Sequence, residues 1–336
     1  MAVARGCSSD GRALQSHCRG QGFDSPQLHQ PSRQIFSYLG VKAGMSMNTP
    51  RDVWPLAAQL GEGPVWVERD RALWFVDIKT QQIHRYDPAG AAANRSWPAP
   101  EQIGFLFPAR RGGFVAGLQS GLHHFDEASG AFEQIVEVEP NVPTNRLNDG
   151  VVDPHGRLWF GTMDDGERTK SGAFYCFGGG KLTRTAIENI AITNGPAVSP
   201  DGKLLYVVDT LRGTIERVEI HEDGTLGPRQ PFVKIDPRQG HPDGPTIDAE
   251  GCVWISLYAG WEACRYSPGG DLIDRVRFPV ANITKLAFGG DDLRTAFATT
   301  ARQLLSADEI SRQPEIGDLF EFRVDVPGVP CPAVSY

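Results

Sequence analysis

From about residue 55 onward, short β-rich apolar runs recur along the chain, each opened by a polar turn. Arg69-Asp70-Arg71 leads into Ala72-Leu73-Trp74-Phe75-Val76, and Arg111-Gly112-Gly113 into Phe114-Val115-Ala116. Asp153-Pro154-His155-Gly156-Arg157 precedes Leu158-Trp159-Phe160, and Pro200-Asp201-Gly202-Lys203 precedes Leu204-Leu205-Tyr206-Val207-Val208. Asp248-Ala249-Glu250-Gly251 then opens Cys252-Val253-Trp254-Ile255, and a weaker copy runs from Gly290 to Phe297. Taking Trp74, Phe114, Trp159, Tyr206, Trp254 and Phe297 as markers, the steps are 40, 45, 47, 48 and 43 residues. A four-stranded propeller blade needs about 40–50 residues. Asp-x-x-Gly supplies a side chain that caps a turn and a residue tolerant of positive φ, as hairpins require. No long segment has a period of 3.6, which argues against α/β folds. The pattern predicts an all-β protein, a six-bladed β-propeller spanning about 55–325, with one short inserted helix near Leu304–Ser311. A large sandwich is the alternative, but the steady period favours radial repetition.

Composition agrees with many short strands joined by tight turns: Gly (38) and Pro (25) are plentiful and spread along the chain. A formal charge of −8 with no Lys/Arg run disfavours nucleic acid as a partner. No apolar run approaches the roughly 18 residues that span a bilayer, so no membrane partner is expected. The six cysteines form no C-x-x-C pair and are too sparse for a disulfide framework, which points to a reducing, cytoplasmic setting. A monomer or weak dimer is expected.

Residues 1–44 read differently. They lack period-2 alternation and the charged-then-apolar order of a secretory signal. Ser8-Ser9-Asp10-Gly11-Arg12-Ala13 and Gly22-Phe23-Asp24-Ser25-Pro26 can be encoded by sequences resembling the D and TΨC arms of a tRNA gene, in that order. The expectation is that 1–44 is a non-native or disordered extension, that Met45 or Met47 is the true initiator, and that 45–336 forms a single propeller domain.

Side chains distant in sequence meet on a propeller axis, so polar residues beside Gly or Pro, placed once per repeat, are the candidates for chemistry. Gly61-Glu62-Gly63-Pro64, Asn145-Arg146-Leu147-Asn148-Asp149-Gly150, Ile192-Thr193-Asn194-Gly195-Pro196 and His241-Pro242-Asp243-Gly244-Pro245 fit, as loops before a strand. Glu62, Asn148, Asn194 and Asp243 offer only oxygen donors. These suit Ca²⁺, Mg²⁺ or Mn²⁺ and are compatible with Zn²⁺ or Fe²⁺. Turn capping explains any one of these loops alone; four at repeat spacing favour one divalent cation on the axis. No G-x-S-x-G elbow is present. His123-His124 reads as a strand end, and the Trp residues as packing between blades.

These motifs resemble the SMP-30/gluconolactonase (regucalcin-like) family. The resemblance runs from Gly61-Glu62-Gly63-Pro64-Val65-Trp66 with Phe75-Val76-Asp77-Ile78, through Asn145–Asp153, Gly161-Thr162-Met163, Asn194-Gly195 and Pro242-Asp243-Gly244, to Arg312-Gln313-Pro314-Glu315-Ile316-Gly317-Asp318-Leu319-Phe320. It implies hydrolysis of a sugar lactone, a small-molecule substrate. It implies metal ligation by Glu62, Asn194 and Asp243, substrate binding by Arg146 and Asn148, and acid/base work by Asp243. Relatives carry a substrate-facing carboxylate just after G-T-M; Asp164, Asp165 and Glu167 stand there in a shortened loop, and the sequence does not choose among them. Two rivals remain: a non-catalytic calcium-binding propeller, and a metal-dependent aryl-ester or phosphotriester hydrolase.

Overall fold

The structure, a computed structural model, describes residues 49–336; the expectations for residues 1–44 and for the initiator lie outside these. All six markers fall on the second strand of an antiparallel four-strand meander. The first meander runs Gly61–Val67, Ala72–Asp77, Gln82–Tyr86, Arg95–Pro98, and the second starts at Ile103–Pro108. The third and fourth start at Asn145–Val152 and Thr193–Val198. First strands are buried along all or most of their length, whereas outer ones such as Lys181–Ile190 are largely exposed. That gradient produces the continuous apolar runs and the weak alternation that follows them.

The Asp–Gly–Trp spacing has a direct cause. Asp153 accepts the His155 and Arg157 amides at 2.9 and 3.0 Å and the Trp159 indole N–H at 2.9 Å. Asp248 repeats this with Glu250, Cys252 and Trp254 at 3.0, 3.1 and 3.0 Å. One carboxylate thus closes the turn and anchors the large residue that packs between sheets. Trp74 lies 4.4 Å from Phe114 and Trp66 stacks on Phe297 at 5.9 Å, each joining neighbouring sheets. A capping box between Ser306 and Glu309 starts the short helix Ala307–Ser311.

Two expectations need correction. Four meanders are separate sheets, but the last two are joined into one eight-stranded sheet by a single parallel pairing, Gly244 with Lys285. Gly244 has no side chain to hold the strands apart: a Cβ there would lie 2.6 Å from Lys285 Cγ. The eight-stranded sheet also takes in Arg51–Trp54, which pairs with Leu319–Arg323 at the other end of the chain. The result is an all-β, propeller-like arrangement in which Gly61–Val67 touches the innermost strands of both the second meander and the last.

Second, the Gly-rich segments expected as loops are themselves the innermost strands. Each carries one extra residue relative to its partner: between Glu62 and Val65, Leu147 and Gly150, Asn194 and Ala197, and Pro242 and Pro245. The same bulge interrupts Ile103–Pro108 and Ile283–Gly289. A bulge re-aims a side chain without ending the strand. It also explains the glycines, since the extra residue brings neighbouring backbones together: a Cβ on Gly104 would sit 2.3 Å from the Asn148 carbonyl.

Candidate functional site on the axis

The bulges place Glu62, Asn148, Asp149, Asn194 and Asp243 at one end of the inner strands, all buried. Asn148 donates to Asn194 Oδ1 at 2.8 Å and to the Thr193 carbonyl at 2.7 Å, while its own oxygen accepts from Arg146 Nη1 at 2.6 Å. Asn194 in turn donates to Thr210 Oγ1 at 2.8 Å, which leaves its amide oxygen directed at Asn148 and the axis. Arg146 is only 3% exposed, and its Nε donates to Asp165 Oδ1 at 2.7 Å. The predicted substrate pair and the predicted ligand Asn194 therefore form one hydrogen-bonded chain.

The carboxylates are held in an unfavourable state. Burial, then the charge of Asp149, pushes Glu62 up to about 8. Burial, then the charges of Glu62 and Asp149, raises Asp243 well above its ordinary value. The Gly63 amide donates to Glu62 Oε2 at 2.9 Å, but buried Asp243 Oδ1 has no hydrogen-bond partner. Orphaned buried acceptors are rare and costly. Two carboxylates that destabilise each other, one with a bare oxygen, beside an amide oxygen, make a donor set that fits a hard divalent cation. Among the described residues no cluster of three or more His, Cys, Asp or Glu side chains is arranged to hold a metal; this donor set uses only two.

Sequence reasoning missed Asp149, Lys285, Lys79, Gln102 and Thr210 as participants, and left Asp164, Asp165 and Glu167 undecided. Asp149, between Asn148 and Gly150, accepts Lys285 Nζ at 2.6 Å and the Gly195 amide at 3.0 Å. Asp165 gathers Lys79, Gln102 and Arg146 at 2.6, 3.0 and 2.7 Å; burial opposes its ionisation, but these donors hold it down at about 2. Asp164 caps its own turn through the Arg168 and Thr169 amides at 2.9 and 3.1 Å. Glu167, raised by burial, feels the charges of Arg146 and Lys79 and in turn influences Tyr258. His241 is held low by burial, against a bond at the Thr210 backbone. Thr210, Lys79 and Gln102 carry no motif; only the folded ring brings them here. A cavity of about 310 Å³ lies toward the opposite end of the inner strands, lined among others by Trp66, Phe107, Ala287, Lys285 and Val329–Pro332.

The profile of the family described as SMP-30/Gluconolactonase/LRE-like region matches residues 60–302. The chain belongs to this SMP-30/gluconolactonase family. Among its relatives is a 6-deoxy-6-sulfogluconolactonase of Pseudomonas putida, 34% identical over 270 residues, covering 80% of this chain and 92% of the relative. An L-arabinolactonase of Azospirillum brasilense is 36% identical over 265 residues, covering 78% and 87%. Among solved structures, the calcium-binding protein regucalcin from Agrobacterium tumefaciens superposes with a TM-score of 0.83 at 30% identity, covering 86% of this chain and 98% of that one. The family match runs from the first inner strand through the last, so every bulge described above lies inside it. No helix among the described residues is long and apolar enough to cross a membrane.

Proposed function

We propose that this chain is a metal-dependent lactonase that hydrolyses a sugar lactone of the gluconolactone type to the aldonic acid. On this reading the two halves of the eight-stranded sheet are separate blades, which makes six. One bridging pair joins them, and each half has its own bulged inner strand. The observation that carries the proposal is the bare, buried Oδ1 of Asp243 beside Glu62.

Glu62, Asn194 and Asp243 would hold the cation, which when bound polarises a carbonyl and lowers the pKa of water. Asp243 accepts the proton of the water whose oxygen bonds to the lactone carbonyl carbon. As the bond from that carbon to the ring oxygen breaks, Asp243 returns the proton to the ring oxygen, leaving an acid and a free hydroxyl. Arg146 Nε is committed to Asp165 and its Nη1 to Asn148. Its Nη2 remains to donate to a sugar hydroxyl, and the two bonds fix the guanidinium plane. Of the three carboxylates after Gly161-Thr162-Met163, Asp164 is spent on its turn and Asp165 on three side-chain donors, so Glu167 is assigned the substrate contact. Lactonase relatives at 34% and 36% identity support the substrate class.

The test is a panel of glucono-, galactono-, xylono- and arabinono-lactones read by acid release, before and after EDTA and after return of a divalent cation. Hydrolysis that EDTA abolishes and the cation restores is expected. No acid from any lactone with the cation supplied would replace this reading with a calcium-binding propeller that is not an enzyme.

A further inference from the structure

Lys285 is a buried lysine in the middle of an apolar strand, Ile283-Thr284-Lys285-Leu286-Ala287-Phe288-Gly289, and nothing in the reaction above uses it. Its stem lies flat against the backbone beside Asp243, where Gly244 makes room: a Cβ at 244 would meet Lys285 Cγ, Cβ and Cδ at 2.6–2.7 Å. Its ammonium ends on the Asn145–Val152 strand, donating to Asp149 Oδ1 at 2.6 Å and to the Gly150 carbonyl at 3.1 Å. That strand is three places away in the order of inner strands, so the side chain crosses the channel. Asp149 also accepts the Gly150 amide at 2.7 Å and the Gly195 amide at 3.0 Å. One ion pair therefore touches the segments that carry Asp243, Asn148 and Asn194.

We propose that Lys285 is a positioning residue that holds Asp149 out of the cation's ligand set and sets the charge of the axial site, so that the cation keeps open positions for water and lactone. The proposal rests on the axial cation reading given above. Three acidic side chains, Glu62, Asp149 and Asp243, are close enough to feel one another's charge, and all three are buried. Without a counter-charge, Asp149 would join the other two as a further hard anionic donor. Lys285, Gly150 and Gly195 instead hold its carboxylate. The charge balance is then two net negative charges facing a divalent cation, counting the three carboxylates against one ammonium. A further carboxylate on a hard divalent cation would take up one of the positions otherwise left to water and a substrate carbonyl, and would add a third anionic charge to the site.

The experiment is calorimetric titration of Mn²⁺, and separately Ca²⁺, into the metal-stripped full chain and three variants, with thermal melts of each to confirm folding. Lys285→Met keeps most of the stem but removes the charge, and should bind the cation at least tenfold more tightly. Asp149→Asn leaves the ammonium uncompensated, and should bind at least tenfold more weakly. The double variant, which removes the pair together, should return to within about threefold of wild type. Opposite signs that cancel are the signature of charge; a purely structural brace would weaken binding in all three variants, and that result overturns the proposal. If Lys285→Met does not fold, Asp149→Asn and the double variant still decide: unchanged affinity in Asp149→Asn overturns it. Failure of the wild-type chain to bind either cation would instead overturn the axial cation reading and this inference with it.

Discussion

Asp243 is asked to be ligand and proton acceptor at once, and these two demands separate on substitution. Asp243→Asn keeps the shape and one donor oxygen but cannot take a proton at neutral pH. Lactone turnover is expected to fall roughly 10²–10⁴-fold, the usual contribution of a positioned general base, with the protein still folded. Asparagine has nearly the shape of aspartate, so a residue that only shaped the bulge between Pro242 and Pro245 would leave the rate near wild type, and that result would sink the mechanism. Arg146 makes the complementary case. A guanidinium donates hydrogen bonds and ligates no cation, so Arg146→Ala should lower kcat/KM for the lactone while calorimetric cation affinity stays within about twofold. Loss of cation binding in that variant would reassign Arg146 to holding Asn148 and Asn194 in place. At this scale the sequence was informative where an acidic or amide residue stood beside glycine, as with Glu62, Asn194 and Asp243. It was silent on Lys285, which sits in an apolar run with no turn signal and whose partner lies 136 residues away.

Among elements, the strand order followed from the spacing of Asp, Gly and aromatic residues, because each repeat closes its own turn through local hydrogen bonds. The bulges were hidden. Gly-Glu-Gly-Pro and Asn-Gly-Pro look like turns, and only pairing against the second strand shows that the chain continues as a strand with one residue extra. The junction of first and last strands was hidden as well, since no local pattern links Arg51–Trp54 to Leu319–Arg323. That junction carries its own titration. Asp318 accepts the Ala57 amide at 2.8 Å, yet burial pushes it up to about 6. The folded protein thus keeps a proton that the unfolded chain gives up. The stability this group supplies is complete below its ordinary value of 3.8 and is lost as pH rises through about 6. Asp318→Asn cannot titrate, so the melting temperature of wild type relative to this variant should fall between about pH 4 and pH 7. A difference that stays flat across that range would show that Asp318 does not hold its proton in the folded state.

At the scale of the whole molecule, the C-terminal tail is a strap over the end of the channel remote from the carboxylates. Val334 exchanges backbone bonds with Pro108 and Arg110 at 2.8 and 3.0 Å, and Ser335 donates to the Gly156 carbonyl at 2.9 Å. The Tyr336 hydroxyl meets His124 Nδ1 at 2.7 Å while Arg111 lies over its ring. Removing residues 329–336 should expose Phe107, Trp66 and Ala287. The expected readouts are increased binding of a hydrophobic dye and a lower melting temperature. A truncated chain with unaltered dye binding would show that the strap does not cover the cavity.

The pairing of Arg51 with Glu321 spans 270 residues, and this has a consequence during synthesis. Sheets that close on themselves locally can form as they emerge, but the ring cannot shut until its final strand has left the ribosome. At typical elongation rates of ~5–20 residues per second, that interval is on the order of ten seconds to a minute. Throughout it, the first strand presents an unpaired edge, the kind of surface that recruits other chains. Its residues suit that wait: Pro50 and Pro55 bracket Arg51 and Asp52, and proline and charge are the features that discourage pairing with a stranger. The short strand that fastens the finished ring is thus also built to remain single until its partner arrives.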